Sequence, residues 1–106
     1  MAAIVVQPSL INEIKASQMN DSQFRKIVAE LPEGKRPEFS LQNDVLWYIN
    51  RLCVPNIPEL KNKIMEEAHD TKYLVRPGGT KMYRDLREVY WWNGMKREIA
   101  KFVAQC

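Results

Sequence analysis

The sequence predicts a small α+β protein, mainly α, in which helices flank a short antiparallel β meander. Three observations carry that reading. Apolar residues recur at helical spacing before residue 32 and again after residue 57. Residues 39–54 instead alternate apolar with polar positions and are rich in β-branched and aromatic types. Clusters of proline and glycine at 32–37 and 77–79 separate these stretches.

The first helix is expected to begin near Ser9, with Leu10, Ile11, Ile14 and Met19 inward. Asp21 is a natural N-cap for a second helix, whose buried stripe is Phe24, Ile27, Val28 and Leu31. Pro32-Glu-Gly-Lys-Arg-Pro37 ends it, since proline and glycine both disfavour continuation. Three strands follow, built on Phe39 and Leu41, on Val45–Tyr48 and on Arg51–Val54, with turns at Asn43-Asp44 and Ile49-Asn50.

Pro55-Asn-Ile-Pro58 opens the next helix, whose stripe of Leu60, Ile64, Met65 and Ala68 runs to His69. At Pro77-Gly78-Gly79 glycine permits positive φ and a break, after which Thr80 would cap a helix. That helix turns Met82, Leu86 and Val89 inward and Lys81, Arg84 and Arg87 outward. Tyr90-Trp91-Trp92 reads as bundle core, because large aromatics dominate small cores, with stacking on bases the minor alternative. After a turn at Asn93-Gly94, a last helix sets Met95, Ile99, Phe102 and Val103 against Lys96, Arg97 and Lys101. The chain thus divides into a helical linker at 1–38, a β meander at 39–56 and a three-helix bundle at 57–106.

The net charge of +3 is unevenly placed. Acids and bases balance at six each over residues 1–56, whereas residues 57–106 hold ten bases against seven acids. This asymmetry is compatible with nucleic acid but far from the basic field of a dedicated binder. No apolar run reaches membrane-spanning length, and the start lacks a secretory signal. With only Cys53 and Cys106, a disulfide framework is not expected, and an intracellular setting, nucleus or cytoplasm, fits better.

His69 is the one histidine, and at a helix end it reads either as a capping or partly buried side chain or as a metal ligand. Cys53, between Leu52 and Val54, reads as core. The local motifs then change the weighting. Glu66-Glu-Ala-His69, Arg76-Pro-Gly-Gly-Thr-Lys-Met-Tyr83, Asp85-Leu86, Tyr90-Trp-Trp92, Gly94-Met-Lys96 and Phe102-Val-Ala-Gln-Cys106 follow in order. Together they resemble the His-His-Cys-Cys zinc-binding domain that opens integrase in gypsy-type LTR retrotransposon polyproteins. Arg51-Leu-Cys-Val-Pro55 and Gln7-Pro-Ser-Leu-Ile11 resemble the segment joining RNase H to integrase.

The resemblance implies a ligand set of two histidines six residues apart, a gap of roughly thirty residues, and Cys-x-x-Cys. It puts His69 and Cys106 at the first histidine and first cysteine, and Arg76 at the second histidine. The last cysteine would fall three residues past Cys106. Two of four ligands are therefore missing, and an obligate guanidinium cation repels a metal. Zinc, the family's cofactor, is not expected to be held stably. The resemblance further implies self-association, contact with other integrase domains, and a role in holding DNA ends. The cations that would meet phosphate are Lys81, Arg84, Arg87, Lys96, Arg97 and Lys101. No catalysis is expected, because the carboxylate triad of the integrase core, the reverse transcriptase and RNase H are absent from these residues. A small protein-interaction adaptor and a weak non-specific nucleic-acid binder are the other readings.

Overall fold

The computed structural model describes residues 8–69 and 78–105. Helix α1 (Pro8–Ser17) leads through a single 3₁₀ turn at Gln18–Asn20 into α2 (Ser22–Glu30). Strands β1 (Phe39–Gln42), β2 (Val45–Tyr48) and β3 (Arg51–Cys53) form the expected meander. Helices α3 (Pro58–His69) and α4 (Gly79–Leu86), strand β4 (Tyr90–Trp91) and helix α5 (Met95–Ala104) complete the fold. The α+β, mainly α, class is as the sequence predicts.

Both hairpins use two-residue turns with left-handed backbone at each position: Asn43 and Asp44 at φ 53° and 63°, Ile49 and Asn50 at 45° and 65°. Such turns match the natural twist of the strands. Asparagine and aspartate tolerate that conformation, but a β-branched isoleucine does so only under strain.

The aromatic block keeps Tyr90 and Trp92 in the bundle core as expected, whereas Trp91 departs from it. Tyr90 and Trp91 form a fourth strand, parallel to β3, with Leu52 opposite Tyr90 and Cys53 opposite Trp91. The sheet order is β1-β2-β3-β4. Helices α3 and α4 lie in the connection between β3 and β4, as a parallel pair demands. Alternation along the strands then sends side chains to two clusters. Leu52 and Tyr90 join Leu10, Ile14 and the buried residues of α3, α4 and α5, with Trp47 packed against them. Leu46 and Cys53 join Phe24 and Ile27 of α2, with Trp91, Tyr48 and Phe39 alongside. Trp91 therefore leaves the bundle core to stack on Tyr48 at 4.6 Å, while Trp92 stays buried within the bundle.

Three smaller departures have local causes. Met19, expected inside, is exposed, and Gln18 takes the buried position. The Gln18 Nε2 donates to the carbonyls of Leu46 and Cys53 at 3.0 and 2.8 Å, and its Oε1 accepts from the Leu46 N–H at 2.8 Å. Pairing of Tyr48 with Arg51 and of Trp47 with Leu52 would next join Leu46 to Cys53. The glutamine amide bridges them instead, at the point where β3 pairs on with β4. Thr80 is not the cap of α4, which begins at Gly79 after Gly78. Nor is positive φ the reason for those glycines, since Gly78 lies at φ −73°. A Cβ on Gly79 would sit 3.3 Å from the Ala100 Cα, so its role is close approach of α4 to α5.

Asp21 caps α2 as expected, accepting from the N–H groups of Gln23 and Phe24, and its second oxygen accepts from the Asn56 N–H at 2.7 Å. Lys61, buried in α3, donates to Asn56 Oδ1 at 2.8 Å and pairs with Glu98 of α5 at 3.3 Å. It also lies 5.8 Å from the centre of the Trp92 ring. This contact ties the first turns of α3 and α5 together.

Candidate metal centre and basic surface

His69 ends α3, where the apolar stripe places it against α5. It is 5 % exposed, and its ring meets Phe102 edge to face at 5.7 Å between centroids. Phe102 precedes Cys106 by four residues in the sequence. The end of α3 and the end of α5 are thus neighbours, which is the arrangement a metal shared by the two would need. Arg76 and Cys106 themselves lie outside the described residues.

Among the described residues no three or more of histidine, cysteine, aspartate and glutamate gather where they could hold a metal ion. Cys53 offers no replacement. It sits in the cluster facing α2, and burial pushes its thiol up to about 12, so it is a protonated thiol at neutral pH. The described donors alone do not fit a four-coordinate zinc, which thiolate and imidazole ligands would have to surround.

The six cations predicted to face solvent are all exposed. Their surroundings differ. Lys81 is paired with Asp85 at 2.7 Å, one turn along α4. Arg87 and Lys96 both approach the Tyr83 ring, at 5.7 and 5.9 Å from its centre, linking α4 to α5 through one aromatic side chain.

Arg51 belongs with these cations, although the sequence marks it only as a strand residue within the joining-segment motif. Its Nε donates to the Tyr90 carbonyl at 3.0 Å, and its guanidinium carbon lies 5.8 Å from the Tyr48 ring centre. Burial, reinforced by the neighbouring Arg87 charge, pulls its pKa below the ordinary arginine value, against an opposing pull from Tyr83. The available signal was a charged residue opening a strand of otherwise apolar type. Only the β3–β4 pairing shows where it points.

Residues 57–106 match the family described as the integrase zinc binding domain. The similarity reaches further than the domain. The Pro-Pol polyprotein of Feline foamy virus is 29% identical over 100 residues, covering 91% of this chain and 8% of the viral protein. The Transposon Tf2-3 polyprotein of Schizosaccharomyces pombe is 24% identical over 98 residues, covering 90% of this chain and 7% of that protein. The chain spans less than a tenth of the length of these curated relatives. The similarity is thus to the integrase region of retroelement polyproteins, in the part that the matching family describes by zinc binding. Among the described residues no helix is long and apolar enough to cross a membrane.

Proposed function

We propose that this integrase zinc-binding domain serves DNA integration as an accessory module, holding DNA ends and other integrase domains without performing chemistry itself. The family match over residues 57–106 carries the reading. The exposed side chains of Lys81, Arg84, Arg87, Lys96, Arg97 and Lys101 are its phosphate contacts. They neutralise backbone charge without reading sequence. Residues 1–38 act as the linker, and the meander at 39–56 sets the linker against the domain.

Zinc, which supplies structural cross-linking when bound in this family, is not held stably by this chain. Arginine at position 76 offers no lone pair where the resemblance puts the family's second histidine ligand, and its fixed positive charge repels the metal. Packing and the Lys61–Glu98 contact between α3 and α5 hold the helices together in its place.

Titration of a labelled DNA duplex at several salt concentrations tests the DNA role. Six phosphate contacts predict that log K falls against log salt with a slope of up to about −5. Binding that ignores salt, or no binding, overturns it.

A further inference from the structure

An open cleft of about 670 Å³ runs between the meander and the α4–α5 side of the bundle. Arg51, Lys96 and Arg97 supply its charge, and Tyr48, Tyr83 and Trp91 supply ring surface. No carboxylate is among the described residues that line it. This sets it apart from the larger groove beside α2, where Asp21, Glu38 and Glu98 mix with Lys26, Arg36 and Lys61. The cleft is of one sign, and its size lies within the roughly 300–1,000 Å³ of small-ligand sites.

The cations are placed rather than loose. Arg51 is anchored by the Tyr90 carbonyl and lies over Tyr48, and Lys96 lies over Tyr83. Tyr48 continues a stack through Trp91 to Phe24. A half-buried guanidinium plane on the end of an aromatic stack is a surface on which an unpaired base can lie, with adjoining phosphates on the rim cations. A duplex keeps its bases inside and would use the rim alone.

We propose that this cleft binds an unpaired nucleic-acid strand, with Arg51 as its recessed anchor and Lys96 and Arg97 as its phosphate contacts. The proposal deepens the DNA-holding role and rests on it in part. It concerns a site that the helix faces do not contain, since Arg51, Tyr48 and Trp91 come from β2, β3 and β4.

The test uses the full chain with labelled single-stranded DNA, RNA of the same sequence, and the corresponding DNA duplex. Anisotropy gives affinity, and tryptophan quenching reports Trp91 and Trp92 at the cleft. Either single strand should bind more tightly than the duplex, and the DNA-to-RNA ratio assigns the source of the strand. K96Q/R97Q should weaken single-strand binding about tenfold and flatten its salt slope by about 1.4, from two lost phosphate contacts. K15Q/K26Q, altered at exposed cations of α1 and α2 outside both surfaces, should change single-strand binding less than about twofold. A duplex preference, or equal losses in both variants, overturns the cleft. If R84Q/K101Q, altered on the helix faces, then weakens duplex binding, the helix-face role survives. Absence of binding to all three probes removes both.

Discussion

Replacing Gln18 by methionine keeps the length of the side chain and removes its amide. In the native fold that amide makes three buried hydrogen bonds, two donated to the Leu46 and Cys53 carbonyls and one accepted from the Leu46 N–H. Each buried group left without a partner costs about 1–3 kcal/mol, so Gln18→Met should lose roughly 3–5 kcal/mol. That is a large share of the about 5–15 kcal/mol typical of a domain. Urea unfolding followed by tryptophan fluorescence measures it directly, and the melting temperature should fall by roughly 15–30 °C. Gln18→Glu keeps the side-chain length and replaces the two N–H donors by a titrating carboxyl. An ionised carboxylate cannot donate to two carbonyls, whereas its protonated form supplies one donor. Burial and the carbonyls raise the folded-state pKa of that carboxyl, so its stabilising form is complete below the unfolded pKa and is lost as pH rises. The deficit of this variant against wild type should shrink as pH falls. A loss under about 1 kcal/mol for Gln18→Met would refute the bridging role.

Three other outcomes follow from the same structure. Burial pushes Cys53 and Tyr90 each up to about 12, Tyr90 with help from Glu67. Both acids are raised in the folded state, so their contribution is complete below the unfolded pKa values and disappears as pH climbs toward 12. Circular dichroism should show alkaline unfolding in that window, and native Cys53 should resist alkylation at pH 8 until denaturant is added; alkylation at the unfolded rate would contradict its burial. Ile49→Asn relieves a β-branched residue at φ 45° that is 59 % exposed, and should stabilise by about 1 kcal/mol in urea unfolding. A destabilised variant would show that the Ile49 side chain contributes more than its backbone strain costs.

Local signals in the sequence located most elements. The cap at Asp21, the proline at the start of α3 and the turn pairs at 43–44 and 49–50 act through neighbouring backbone, so their chemistry is visible in a few residues. What escaped depends on distant partners. Tyr90 and Trp91 are strand residues only because β3 presents a free edge there. Gln18 is buried because two strands diverge thirty residues away, a fact that no periodicity encodes. The candidate site follows the same rule. The exposed cations of α4 and α5 were legible from helical spacing, whereas Arg51 joined them through the sheet. His69 was identified by motif, and its position beside Phe102 places the ends of α3 and α5 together. Arg76 and Cys106 fall outside the described residues.

We propose that residues 57–106, similar to the integrase zinc binding domain, fold without zinc. Metal analysis of the purified chain, paired with thermal unfolding in the presence and absence of a chelator, tests it most directly. The expected result is well under one zinc per chain and a melting temperature unmoved by chelation. Arg76→His together with a three-residue C-terminal extension ending in cysteine should then bring in one zinc per chain and make the melting temperature chelator-sensitive. Stoichiometric zinc in the unaltered chain, with unfolding when it is stripped, would contradict the account.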